Sequence, residues 1–341
     1  MKPYSITHCA LCALFALAAF QARPVAAPED EFDVSELGKS AVPIVAYDEK
    51  RGWQLGAAGF IYTDKEPGIN AGFFAISNFN NFHSAGTTYE QRGSGPWSYA
   101  ANLIAERSFD NYYGEGDLTD PSSHIYVGQT HFEARPMLLY RLRPHVRVGS
   151  FVDYRSRHEE ETHIIPDESS SSVGLHIEWD SRDKLINPRQ GDFFQLNLAR
   201  NTGEESFSQA DLDLRRFTRL RRNLVLGSRF VGASSLGRPS YLYRYRLGGL
   251  HLLRGYKDNR FRGSEYFVFQ EELRWILKKW LSINISADLG GIRDEAYHQL
   301  KSTAELGLRL GLPPGWGQKM RVDFGFGADQ SSYQIQFGEV F

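Results

Sequence analysis

The 341-residue chain carries 39 Lys and Arg against 41 Asp and Glu, with 32 Gly, 23 Phe and 17 Tyr but only 3 Met and 2 Cys. This charge balance gives no basic face for a nucleic-acid partner. After the first thirty residues no stretch approaches the ~20 consecutive apolar residues of a membrane helix.

The chain opens on Lys2, an apolar run from Cys9 to Phe20 and the small residues Val25-Ala26-Ala27 before acidic Pro28-Glu29-Asp30. That order reads as a secretory signal peptide, 1–27, too short to span a bilayer as a helix. Cleavage removes both cysteines and leaves 37 basic against 41 acidic residues. The exported chain then has no thiol chemistry, although disulfides would be allowed where it resides. Residues 28–40 form a short acidic leader in which Phe32, Val34 and Leu37 make a marginal helical pattern, and a solvated linker is the reading preferred over a docking element.

From residue 41 onward the pattern changes to strict alternation. Val173, Leu175, Ile177 and Trp179 alternate with Gly174, His176, Glu178 and Asp180, and Leu281, Ile283, Ile285, Ala287 and Leu289 alternate with Ser282, Asn284, Ser286 and Asp288. Leu306, Leu308 and Leu310 oppose Glu305, Gly307 and Arg309; Val322, Phe324 and Phe326 oppose Arg321, Asp323 and Gly325. Successive strand side chains point to opposite faces, so one face is apolar and the other mixes both charge signs. An exported chain without an apolar helix can satisfy its backbone in lipid only as a closed barrel, with an apolar outside and a polar lumen. An amphipathic strand of a soluble sandwich shows the same alternation; its repetition along the whole chain favours the barrel.

Turn signals place strands at 41–48, 53–63, 68–78, 83–92, 96–107, 123–141, 145–155, 172–180, 192–201, 207–218, 222–234, 264–277, 281–290, 301–311, 319–328 and 332–341. The count is sixteen, with fourteen or twelve left open by boundary errors. An even count puts both termini in the periplasm. The long connections 108–122, 156–171, 235–263 and 291–300 all follow odd-numbered strands, as extracellular loops do. One periplasmic connection, Ser181 to Gly191, is also long. Glu271 falls on a lipid-facing position and is read as a strand end or local bulge, where a charge costs about 0–1 kcal/mol. The final strand carries Tyr333, Ile335, Phe337 and the terminal Phe341 on one face.

The longest loop holds Gly248-Gly249 and Arg254-Gly255-Tyr256, and the next two strands carry Glu272 and Asp288 on inward positions. A guanidinium brought inside would be held by both carboxylates through charge-assisted hydrogen bonds. Taken alone Arg-Gly-Tyr is weak, because a turn with positive φ is the simpler explanation of Gly255.

This set resembles the bacterial surface antigen family, the outer-membrane barrels that include the BamA and TamA insertases and the two-partner secretion transporters. The resemblance implies that Arg254, Gly255 and Tyr256 form the tip of a loop folded into the lumen, with Glu272 and Asp288 as its partners. It also implies a family turn at Asp180-Ser181-Arg182-Asp183, Pro188 and Gly191, a first hairpin at 43–52, and recognition of Phe341 by the barrel-assembly machinery. Family members carry periplasmic POTRA domains before the barrel, for which 28–40 is too short, so a short member with domains 1–27, 28–40 and 41–341 is expected.

An outer-membrane lipid hydrolase would need a Ser, a His and a polar partner on the lipid face, and the spacing of His131, His145 and His176 singles out no triad. Glu159, Glu160, Glu161 and His163 lie in a predicted outer loop, where a solvated acidic run is the ordinary reading of what would otherwise suggest a metal site. No enzyme, metal or cofactor is expected. The expected surroundings are outer-membrane lipid and lipopolysaccharide, the assembly machinery during biogenesis, and a separate periplasmic partner if substrate is received at all. Two functions remain: assistance in inserting or translocating protein or lipid at the outer membrane, or a passive structural barrel or small pore.

Overall fold

The computed structural model describes residues 38–48, 52–63, 68–120, 122–160, 164–202, 206–249, 251–294, 299–312, 316 and 319–337. The signal peptide, nearly all of the leader, Glu161, His163 and Phe341 therefore lie outside the described residues. The strands are β1 (Gly38–Asp48), β2 (Gly52–Tyr62), β3 (Gly68–Ser77), β4 (His83–Arg92), β5 (Trp97–Tyr112), β6 (Ile125–Arg143), β7 (Val146–Glu159), β8 (Glu168–Asp180) and β9 (Gly191–Asn201). They continue as β10 (Ser208–Arg221), β11 (Leu224–Leu236), β12 (Tyr245–Leu247), β13 (Phe261–Gly263), β14 (Glu265–Lys278), β15 (Leu281–Arg293), β16 (Lys301–Gly311), β17 (Lys319–Phe326) and β18 (Ser331–Phe337).

Sixteen of these form one antiparallel sheet in chain order, β1 to β11 and then β14 to β18, while β12 and β13 pair with each other inside the longest connection. Each of the sixteen wall strands overlaps a predicted one. The pair β12–β13 was not foreseen, because three residues are too few for alternation to be legible.

The extracellular ends run further than expected. β5 and β6 stay paired to Tyr112 opposite Ile125, and β7 and β8 to Arg157 opposite Glu168. Cross-strand aromatic contact supports the extension, with Phe109 and Tyr126 stacked at 5.7 Å. At the periplasmic ends, the hairpins β6–β7, β10–β11 and β14–β15 turn tightly, each with a register shift in its first strand, at Arg141/Arg143, Arg219/Arg221 and Ile276/Lys278. The extra residue of such a bulge bends and twists the strand into the turn.

Alternation sorts the two faces as the sequence requires. Leu175, Ile177 and Trp179 of β8 are exposed on the outer wall while His176 and Glu178 are buried inside; on β16 Leu306 and Leu308 face out and Glu305 and Arg309 face in. Glu271 departs from expectation. It lies in mid-strand, in regular register between Ser228 and Ala287, so it is neither a strand end nor a bulge. Its carboxylate is buried on the outer wall and accepts a hydrogen bond from Ser228 Oγ at 2.8 Å. A neighbouring hydroxyl, rather than a displaced backbone, accommodates it.

Candidate functional site: a loop clamped inside the lumen

The connection between β11 and β14 folds back into the lumen instead of projecting outward. Gly248 and Gly249 adopt positive φ (109° and 98°), and the Gly249 amide donates to the Tyr256 carbonyl at 3.0 Å, closing the loop above its tip. Only glycine takes such angles readily. The strands β12 and β13 flank this turn and present Leu247 and Phe261, which pack with Leu253 and Tyr256 against Val231, Val268 and Ile292 of β11, β14 and β15. On these three strands the inward face is thus apolar where apolar side chains of the loop pack on it. Burying each such side chain contributes about 1.5–3 kcal/mol.

Deeper in the lumen the wall becomes charged, and there the loop offers Arg254. Its side chain is 2% exposed. The Arg254 amide and Nε donate to Asp288 Oδ2 (2.9 and 3.1 Å) and one terminal nitrogen donates to Oδ1 (2.6 Å). The other terminal nitrogen reaches Glu272 and Glu305, each at 3.4 Å. The sequence reading named Asp288 and Glu272; it did not name Glu305. Register explains all three, since Glu272, Ser286, Glu305 and Gly325 are successive cross-strand partners from β14 to β17, with Asp288 one inward step above.

That row ends on glycine for a steric reason. A Cβ on Gly325 would lie 2.6 Å from the Gly255 amide nitrogen, and one on Gly255 (φ 133°) would lie 2.8 Å from the Phe326 carbonyl carbon. The tip therefore rests backbone against backbone on β17. Tyr256 closes the contact, edge-on to Phe261 at 5.2 Å between ring centres and accepting from the Ala328 amide at 3.4 Å.

The carboxylates serve more than one cation. Glu272 also accepts from Arg274 at 3.1 Å and pairs with Arg309 at 3.5 Å; Arg309 and Arg321 both pair with Asp323. All eight groups are buried, four guanidinium groups against four carboxylates. A balanced, hydrogen-bonded set avoids the several kcal/mol per ion that unpaired burial costs.

Arg274 also links the clamp to the long periplasmic turn, donating to Asn187 Oδ1 at 2.5 Å and to the Pro188 carbonyl at 3.3 Å. In that turn Asp183 accepts from the Arg189 and Gln190 amides at 2.9 and 3.2 Å. Asp180 holds Arg182 through two bonds of 2.9 and 2.7 Å. Gly191 turns the chain back at φ 107°, where a Cβ would lie 2.4 Å from the Ser181 carbonyl oxygen. The two motifs therefore meet through Arg274 and Asn187, neither of which sequence reasoning singled out. Both are ordinary polar residues at inward positions, and only their partners distinguish them.

The remaining sequence candidates are dispersed. Tyr333 faces outward on β18 with the backbone of Ile335 and Phe337 paired to β17. His131 lies 3.8 Å from Glu133, His145 meets the Asp180 carbonyl at 2.8 Å, and His176 meets Asn197 Oδ1 at 2.7 Å. Glu160 is held by Arg107, and Glu159 accepts from the Ile165 amide at 2.7 Å.

A sequence model of the Omp85 superfamily domain matches residues 155–339, more than half of the chain. The chain belongs to the Omp85 superfamily. The matched segment contains the clamp, the lumen loop and the long periplasmic turn. Among solved structures, the fold is similar to BamA from Haemophilus ducreyi lacking POTRA domains 1–3 (12% identity, TM-score 0.58, 88% of this chain and 69% of that one). It is also similar to CdiB from Escherichia coli (13%, 0.61, 92% and 63%) and CdiB from Acinetobacter baumannii (11%, 0.56, 88% and 58%). No curated protein sequence matches. At these identities the likeness is one of fold, and the chain spans 58 to 69% of the length of these structures. It is an all-β outer-membrane barrel with a long loop folded into its lumen.

Proposed function

We propose that this Omp85 barrel assists the insertion or translocation of protein or lipid at the outer membrane, with the 237–264 loop as a plug whose position depends on the Arg254 clamp. The observation that carries the reading is the meeting of Arg254 with carboxylates from three neighbouring strands. A passive wall needs no buried eight-charge cluster to stay closed, since apolar packing gives comparable stability without the desolvation cost. Such a cluster suits a loop that must hold one register and leave it as a unit.

Phe341, with Tyr333, Ile335 and Phe337, belongs to the proposal as a signal read during assembly by the barrel-assembly machinery. The test of the main reading is reconstitution. Purified protein in liposomes should accelerate protease-protected insertion of newly translated outer-membrane barrels, and locking the loop to β17 by paired cysteines should abolish the gain. Steady ion conductance without any acceleration would replace this reading with that of a passive pore.

A further inference from the structure

The outer wall over β6 to β11 is dented. Register places Val152, Val173, Arg200, Ser208 and Leu236 in one circumferential row. The row on the periplasmic side of it holds Leu138, Ser150, Leu175, Leu198, Ala210 and Ser234. Ser150, Ala210, Ser208 and Ser234 are short side chains set among exposed leucines and valines, and the result is a depression of about 1020 Å³. Its floor is apolar. Its extracellular edge is Arg200, one residue from the end of β9.

Arg200 differs from two other arginines of the outer wall. Arg107 is held bidentately by Glu160, and Arg293 is paired with Glu265. Arg200 instead donates to two hydroxyls, Ser208 Oγ at 3.0 Å and Ser206 Oγ. No ion pair engages it among the described residues. A guanidinium has five N–H groups, and a hydroxyl that accepts a bond keeps its own proton to donate. The trio therefore orients a positively charged fork, flanked by two O–H donors, above an apolar trough. A phosphate monoester matches a guanidinium fork in geometry and charge. The position at the extracellular end of a strand, where a lipid-facing arginine costs about 0–1 kcal/mol rather than the 2–4 of the bilayer midplane, is where lipid headgroups lie.

We propose that this dent is a binding site for one phosphorylated glycolipid of the extracellular leaflet, of the lipid A type, with its phosphate on Arg200, Ser206 and Ser208 and an acyl chain along Leu198, Leu175 and Val152. Lipid already surrounds the wall, so the trough contributes shape rather than hydrophobic driving force. Selectivity comes from the phosphate contact.

The experiment uses the full-length protein purified in mild detergent and charged with lipid A, followed by native mass spectrometry. Wild type should retain one lipid A, and Arg200→Ala should lower its occupancy about tenfold, the loss expected of one charge-assisted contact. Arg200→Lys should fall between them, because a point charge lacks the fork. Ala210→Phe, which fills the trough and spares the guanidinium, should also lower occupancy. Enzymatically dephosphorylated lipid A should bind wild type no better than lipid A binds Arg200→Ala. Equal retention by Arg200→Ala, or equal retention of dephosphorylated lipid A or phosphatidylglycerol by wild type, would overturn the proposal. If Arg200→Ala loses the heat-modifiable folded form, the wild-type comparison between phosphorylated and dephosphorylated lipid A decides alone.

Discussion

The lumen walls of the two halves of this barrel are built from the same alternation and live in different environments. On β14 to β17 the inward side chains of Gln270, Glu272, Asn284, Asp288, Arg309 and Arg321 are all 3% exposed or less, and the loop bonds directly to Gln270, Glu272 and Asp288. Around Arg147, on β4 to β8, inward charges meet each other with space to spare. Arg147 bridges Glu90 of β4 and Glu178 of β8, yet the Arg147 and Glu90 side chains remain 25% and 21% exposed. Charge pairing on a lumen wall therefore does not by itself mark a mechanism. What matters is whether the pair is covered, since covering turns a weak interaction into one that cannot lose a member cheaply.

The sharpest break of that comparison is Asp288→Ala. It removes the acceptor of three Arg254 donors and leaves three carboxylates to four buried guanidinium groups; breaking a buried pair costs up to about 3–5 kcal/mol, less here because Glu272 and Glu305 stay beside Arg254. The loop should leave the wall, seen as rapid trypsin cleavage between 244 and 260 in detergent-purified protein that still shows heat-modifiable migration. Resistance equal to wild type would mean that packing alone holds the loop.

A smaller effect is expected from Gly325→Val, which leaves every charge in place but inserts a side chain where the Gly255 amide now rests. Overpacking of this kind costs about 1–3 kcal/mol. Cleavage should be intermediate, and Gly325→Ala should cleave more slowly than Gly325→Val; the reverse order would show that the tip does not lie on β17.

Asn187→Ala tests whether the periplasmic turn belongs to the covered half. Removing a hydrogen bond to a charged group costs about 1.5–3 kcal/mol, less here because the Pro188 carbonyl still accepts from Arg274. Combined with Glu272→Gln, which strips the other end of Arg274, the loss of thermal stability should be non-additive, as for residues sharing a partner. Strict additivity would separate the turn from the clamp.

The least effect belongs to the open half. Glu90→Gln leaves Arg147 with Glu178, and a partly exposed pair contributes about 0–1 kcal/mol. Its trypsin pattern and melting temperature should match wild type. A loss as large as that of Asp288→Ala would erase the distinction between the two halves.

The sixteen wall strands were legible in the sequence because strand side chains repeat with a period of two, and lipid on one face and polar groups on the other write that period into composition. The carboxylates Glu272 and Asp288 were legible for the same reason, as inward charges close in sequence to Arg254. Glu305 was equally inward but lay on a strand beyond the next, and nothing local ties it to the loop. The loop strands β12 and β13 were hidden by their length, and Glu271 misled because alternation gives the face of a side chain and not what covers it.

Local periodicity and short connections were enough to give an all-β chain, its strand order and the faces of its strands. The cross-strand register that lines up Glu272, Glu305 and Gly325, the descent of the loop onto that row, and the reach of Arg274 to Asn187 emerge only once the chain is folded. Those contacts join residues far apart in the chain, and their energies depend on burial, which no local pattern encodes.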